Sequence, residues 1–498
     1  MKERKGRNYR KKESDIKIIN IEPIQEAEKP VRKKVTSNRE FAKVTYLFVT
    51  LFLVLMGYIV YFTAVRSKDI INSSYNVRLD SMADRVVRGK ILDKDGNILA
   101  ETIVNEDGTE TRNYPYGKLY AHVVGYDSMG KAGLESTENF NLLTSNAFFL
   151  EKISKTFREE KNIGDNIVTT LDTNLQEAAY NALGNYNGAV IVMDASTGKV
   201  LAMVSKPTFD PNRIISDWES LINNENGILV NRAMQGSYAP GSVFKLVTTL
   251  EYMRENRNYA QYSYECESEI TKGDTTIHCA GNYVHGEEDL GTAFANSCNT
   301  SYAHMGLQLD LNEYRKTAEE LLFNSELPKL LPYTESKFQL TKKSSNAEVM
   351  MTAIGQGKTQ VSPYHMTLLS AAIANGGTLM KPYLVERIEN YTGTVVKKTV
   401  PKKYEKLMTS QEASQLKTYM EEVVQTGTAK TLRNNSYSVA GKTGTAEYSN
   451  DKNKTHSWFT GFTNVENPEL VITVIVESTD NSGMSAVSVA KKVLNAYY

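Results

Sequence analysis

The 498-residue sequence predicts an α+β fold carried on one N-terminal transmembrane helix. Three observations predict it. A single uncharged run near the N-terminus interrupts a chain whose mean hydropathy, −0.41, is too polar for a polytopic membrane protein. Beyond that run, strand and turn signals alternate with stretches of helical period. A hydrophobic fraction of 41% is enough for a sizeable core and excludes a mostly disordered chain. Lys+Arg and Asp+Glu number 58 each, so no overall basic field points to nucleic acid. Three cysteines exclude a scaffold built on disulfides.

Residues 44–65, VTYLFVTLFLVLMGYIVYFTAV, form the membrane helix. At 1.5 Å per residue they span ~33 Å, against a bilayer core of ~30 Å. The run exceeds a signal-peptide core of ~7–15 residues and enters Arg66-Ser67-Lys68 without a small-residue cleavage site. Residues 1–43 hold 14 Lys/Arg against 7 Asp/Glu, a net +7 that leaves −7 for the rest of the chain. The positive-inside rule then keeps this tail cytoplasmic and puts everything after the helix outside the cytoplasm.

Residues 66–163 read as a small β-rich spacer. A Lys94-Asp95-Gly96-Asn97 turn lies between short apolar strands, and a polar helix-like segment runs from Phe148 to Arg158. Residues 164–498 read as one larger α+β domain. Asp172 caps a helix reaching Leu183, and Gly188–Asp194 with Lys199–Val204 forms a hairpin. Helices follow at Tyr364–Asn375, closed by Gly376-Gly377, and at Ser410–Val424. Leu470–Glu477 is a strand and Ala486–Ala496 a terminal helix.

Three short motifs carry the chemistry. Ser242-Val-Phe-Lys245 follows Pro240-Gly241 and precedes an apolar run, which puts Ser242 in the first turn of a helix. Residues i and i+3 share a helix face, so the lysine amine lies within reach of the serine hydroxyl and activates it if neutral. Burial or nearby positive charge would make it so. Other Ser-x-x-Lys copies, at Ser128, Ser196 and Ser414, lack that context. The second motif is Ser297-Cys298-Asn299. The third, Lys442-Thr443-Gly444-Thr445, fits an edge strand where a substrate backbone comes close and a lysine meets a carboxylate.

In this order the three motifs resemble the active-site set of the penicillin-recognising serine transpeptidases, whose motif logic class A β-lactamases share. Arg88-Gly89, Asp93, Gly96-Asn97, residues 164–212, Asn231-Arg232-Ala233, Gly355-Gln356-Gly357, Ser362-Pro363, Ala374 to Gly377 and His456 to Phe459 extend the resemblance to class B penicillin-binding proteins of compact form. The resemblance implies a penicillin-binding/β-lactamase-like domain, an antiparallel sheet flanked by helices, on a spacer or pedestal domain of dimerisation type. It implies a membrane-bound peptidoglycan D,D-transpeptidase acylated by β-lactams, acting in division, elongation or sporulation. Ser242 would be the nucleophile, Lys245 its base, Ser297 a proton relay and Asn299 a positioner of the substrate amide. Lys442 and Thr443 would hold the stem-peptide carboxylate, with the N–H groups of Ser242 and Thr445 as oxyanion hole. A polytopic membrane glycosyltransferase would be the partner.

The cysteines fall together, as Cys266-x12-Cys279-x5-His285-x12-Cys298. Three thiolates and an imidazole make a tetrahedral zinc set, though the spacing is that of no common zinc finger. Some elongation-type penicillin-binding proteins resemble this, with a structural metal beside the second motif. A disulfide with one free thiol and three inert thiols are the other readings, and His278 competes with His285 as ligand. Other functions also stay open: a D,D-carboxypeptidase or β-lactamase, whose deacylating base is not evident in the sequence; a membrane β-lactam sensor, for which residues 1–43 are short; and a catalytically idle scaffold, against which the intact motifs speak.

Overall fold

The computed structural model describes residues 39–63, 82–434, 436–449, 454–478 and 484–498. Most of the predicted tail, the last two residues of the predicted membrane run and residues 66–81 lie outside them. The chain divides into two units, residues 1–67 and 68–498. In the first, the helix Arg39–Tyr61 includes Phe41–Tyr61, long and apolar enough to cross a membrane. It starts before the uncharged run because Arg39 to Lys43 are mostly good helix formers and extend the same helix into the polar flank.

The second unit holds two main sheets. A five-stranded antiparallel sheet runs in the order Val439–Glu447, Thr455–Thr463, Leu470–Val476, Gly188–Asp194, Val200–Lys206. Its inner strands, GAVIVMD and LVITVIV, read as continuous apolar runs because helices cover both faces. The helix Pro363–Ala374, buried on every side, packs against Gly188–Asp194 and Leu470–Val476. Thr173–Leu183 and Ala486–Tyr497 pack against each other and the sheet. Asp172 accepts from the Leu175 N–H at 3.0 Å, Ser362 caps the buried helix with Pro363 behind it, and Gly376 and Gly377 follow its end at positive φ.

A six-stranded sheet draws on segments far apart in the chain, in the order Val395–Lys398, Val385–Glu389, Asn166–Thr169, Ile91–Leu92, Ile98–Val104, Glu110–Asn113. Ile167 pairs with Ile91 on one side and Ile388 on the other. The predicted turn after Ile91–Leu92 forms around buried Asp93, whose carboxylate accepts from the N–H groups of Asp95 and Asn97 at 2.9 and 2.8 Å. Buried Glu135 holds Arg88 at 2.6 Å and Arg112 at 2.8 Å. The helix-like segment of the spacer is the helix Phe149–Phe157.

Candidate active site

Ser242 sits in the short 3-10 turn Gly241–Phe244, which runs directly into the helix Lys245–Glu255. Pro240 and Gly241 start the turn, and Gly241 takes φ +55°. A β-carbon on Gly241 would lie 2.4 Å from the Thr445 carbonyl oxygen, so the missing side chain lets the serine turn press against the strand Val439–Glu447. The Gly241 N–H donates to the Gly355 carbonyl at 2.8 Å, fixing the turn from the other side.

Lys245 is fully buried. Its amine donates to the Ser297 carbonyl at 2.6 Å and to Asn299 Oδ1 at 2.8 Å, and lies 3.2 Å from Ser297 Oγ. It makes no hydrogen bond to Ser242 among the described contacts; its acceptors all come from the second motif. Burial lowers the Lys245 pKa to about 8. Lys442, also fully buried, approaches the same hydroxyl, 2.9 Å from Ser297 Oγ. Burial first, then the Lys245 charge, holds the Lys442 pKa well below the ordinary lysine range. The two amines thus converge on Ser297.

Ser297 ends the helix Leu290–Asn296 in the left-handed region, at φ 59° and ψ 40°. This is a costly conformation for a serine and turns the chain between two helices. Cys298 caps the next helix, Asn299–Gly306, its sulfur accepting from the Ser301 N–H at 3.4 Å. Asn299 Nδ2 donates to the His278 carbonyl at 3.0 Å. The third motif lies on the edge strand of the five-stranded sheet, with Lys442, Thr443 and Gly444 opposite Thr460, Phe459 and Trp458. A β-carbon on Gly444 would lie 3.1 Å from the Pro240 carbonyl oxygen.

The donor atoms of Cys266, Cys279, His285 and Cys298 all lie within 4.8 Å of one another. All three thiols are free, with sulfurs 3.7 Å apart for Cys266–Cys279 and Cys279–Cys298, and Cys266 Sγ 3.3 Å from His285 Nδ1. A Zn–S bond of ~2.3 Å implies a tetrahedral S–S edge of about 3.8 Å, so this donor set fits zinc. His278 stands outside it, exposed and 3.5 Å from Glu269.

Sequence reasoning missed several neighbours. Thr428 hydrogen-bonds the Thr443 hydroxyl at 2.6 Å. Gln356 Nε2 donates to the Thr445 carbonyl at 3.3 Å. At the end of the edge strand, Tyr448 stacks on His456 at 4.4 Å and Tyr238 meets the same ring edge-on. These contacts join distant segments; of these residues, Gln356 and His456 carried a signal, through family resemblance.

A serine turn, a Ser-x-Asn loop and a Lys-Thr-Gly edge strand, joined through Ser297 and the Gly241–Thr445 approach, are the arrangement of a penicillin-binding fold, and the comparisons with known proteins agree. Residues 188–496 match the penicillin binding protein transpeptidase domain, and residues 88–167 the penicillin binding protein A dimerisation domain. The chain belongs to the penicillin-binding transpeptidase family and is of class B. It is 30% identical over 409 residues to the peptidoglycan D,D-transpeptidase PbpA of Mycolicibacterium smegmatis, covering 77% of this chain and 82% of that protein. It is similar to penicillin-binding protein A from M. tuberculosis in its imipenem acyl-enzyme complex, with TM-score 0.74, 27% identity and coverage of 82% and 98%. The D,D-transpeptidase domain of a peptidoglycan glycosyltransferase from Eggerthella lenta matches with TM-score 0.74, 30% identity and coverage of 83% and 98%.

Proposed function

We propose that this chain cross-links peptidoglycan as a D,D-transpeptidase through an acyl-serine at Ser242. The observation that carries the reading is Ser297 Oγ, held within reach of the Lys245 and Lys442 amines. Neutral Lys245 turns from Ser297 to Ser242 and takes its hydroxyl proton. Ser242 Oγ attacks the penultimate D-Ala carbonyl, and the N–H groups of Ser242 and Thr445 hold the oxyanion, worth about 10²–10³ in rate per donor. Ser297 passes a proton to the departing D-Ala nitrogen, the C–N bond breaks and the acyl-serine forms. The amine of a second stem then attacks, loses its proton to the same relay and frees Ser242. Asn299 aligns the substrate amide; Lys442, Thr443 and Gly444 hold its terminal carboxylate along the edge strand. A β-lactam acylates Ser242 in place of the stem.

Cys266, Cys279, His285 and Cys298 would hold a structural Zn²⁺, and these four residues would then fix the loop carrying Ser297 and Asn299. The division of labour follows the sequence: residues 1–43 a cytoplasmic tail, 44–65 the anchor, 66–163 a spacer and 164–498 the catalytic domain, outside the cytoplasm. A polytopic membrane glycosyltransferase would supply the glycan strands.

Labelling of the full chain with a fluorescent penicillin tests the reading. Wild-type protein labels and Ser242→Ala does not; labelling that survives the substitution overturns the assignment. Exchange of a D-amino acid into a stem peptide then separates a turning-over enzyme from an acylated but idle one.

A further inference from the structure

The helix Phe149–Phe157 is mounted with its polar side inward. On a helical projection at 100° per residue, Phe149, Leu150, Ile153 and Phe157 form one stripe. Glu151 and Lys155 lie diametrically opposite, and that side is the attached one. The Tyr391 hydroxyl donates to the Glu151 carboxylate, the Lys155 amine lies 4.9 Å from the Tyr391 ring centre, and Glu151 pairs with Lys155 at 3.5 Å. The apolar stripe is left facing solvent, with Phe149 70% and Phe157 85% exposed. Phe148 and the edge-strand residues Val395 and Val396 are exposed as well.

Two further facts say what covers this face. Tyr391 belongs to the turn between the strands Val385–Glu389 and Val395–Lys398, and the chain beyond it is basic. Residues 395–406 carry Lys397, Lys398, Lys402, Lys403 and Lys406 against a single Glu405, and all five lysines are exposed. The helix also sits where the second unit's chain begins. The strand Asn162–Ile163, just after it, pairs with Val86–Val87, near the start of this unit's described residues. A stretch of about 20 residues joins that strand to the membrane run.

We propose that this face docks on the surface of the bilayer that holds the chain, with the Phe149, Leu150, Ile153 and Phe157 side chains among the acyl chains and the lysines of residues 397–406 on anionic headgroups. Exposed apolar side chains together with exposed lysines that follow Tyr391 in the chain suit an anionic interface. The alternative cover, a second copy meeting this patch on a two-fold axis, would set the same lysines against one another. The tether keeps the lipid surface at high effective concentration, so a short helix suffices. The inference rests on anchoring by the helix Arg39–Tyr61.

The test uses the full chain reconstituted alone in vesicles of phosphatidylcholine and phosphatidylglycerol. Co-flotation with the vesicles reports anchoring, and a chain that fails to float overturns both readings. A Phe157→Trp variant, corrected for native Trp218 and Trp458, reports docking. Its added emission is expected to shift blue and to fall about twofold when the phosphatidylcholine carries brominated acyl chains. Adding Phe149→Asp and Ile153→Asp, or Lys397→Glu and Lys398→Glu, should reduce that quenching while fluorescent-penicillin labelling of Ser242 persists. A chain that floats but whose added indole emits as in water overturns the proposal. So does burial that disappears as the chain is diluted in lipid, which marks a second copy.

Discussion

Asn299 Nδ2 donates to the main-chain oxygen of His278 at 3.0 Å, and His278 immediately precedes the Cys279 thiol. The same Asn299 side chain accepts from Lys245, and its residue follows the Cys298 thiol. The cysteine cluster is therefore one residue from Asn299 along two routes, one covalent and one hydrogen-bonded. Cys279→Ser should lower the melting temperature and slow penicillin acylation roughly 10–100-fold, as loss of support around a metal site does. A chelator should reproduce both effects in the wild type. Thermal melts, metal content and acylation rates check this; equal stability and rate with and without chelator would refute a structural metal.

Acylation should rise with pH through the Lys245 titration. Burial lowers that pKa to about 8, and only the neutral amine accepts the Ser242 proton. The rate of acylation by benzylpenicillin should climb from pH 6 through 8, where it reaches about half its plateau, and level about one unit higher. Stability carries the same sign: the unfolded lysine holds its proton up to its ordinary, higher pKa, so the folded state binds fewer protons above pH 8. The burial penalty is full below pH 8 and is relieved as pH rises beyond it. A flat rate profile across that range would exclude Lys245 as the base.

Gly241→Ala should disable the site without unfolding the domain. The added carbon meets the Thr445 carbonyl oxygen at 2.4 Å and demands φ +55° of an alanine. The serine turn must then move off the edge strand, separating the two N–H groups assigned to the oxyanion hole. Acylation should fall about 10²–10³-fold. Near-wild-type acylation would show that the close approach is dispensable.

Glu135→Ala should destabilise the second unit by about 3–5 kcal/mol, because it leaves the guanidinium groups of Arg88 and Arg112 buried beside an empty site. Denaturant unfolding measures this. Glu135→Leu tests whether the packing or the lost charge dominates; equal loss in both variants points to the charge.

Much of this was legible locally. Asp172, Ser362-Pro363 and Gly376-Gly377 mark helix ends by side-chain caps and backbone freedom, which act within four residues. The motif serines and lysines could be picked out because each sits beside a helix start, a glycine turn or an edge strand. The cluster of three cysteines and a histidine was a candidate from ligand types and their closeness in the chain, with a disulfide and inert thiols also open, and the structure separates His285 from His278, which the chain could not. What depends on distant partners was not legible. Lys245 faces Ser297 rather than Ser242 because Ser297 and Asn299 come from another helix pair. Thr428 meets Thr443, and the strand Val385–Glu389 joins Asn166–Thr169, through contacts that leave no local pattern. The outward stripe of Phe149–Phe157 reads as an ordinary amphipathic helix until Tyr391 shows which side is attached.

The pairing of Ile167 with both Ile91 and Ile388 governs how this protein is made. The strand Ile91–Leu92 leaves the ribosome early, but its sheet is not finished until residues 385–398 have been synthesised. Long-range pairings of this kind form slowly. During synthesis the early strands therefore wait with open edges, exposed to proteases and to pairing with other chains. Chaperones that cover such edges should determine how much folded protein accumulates.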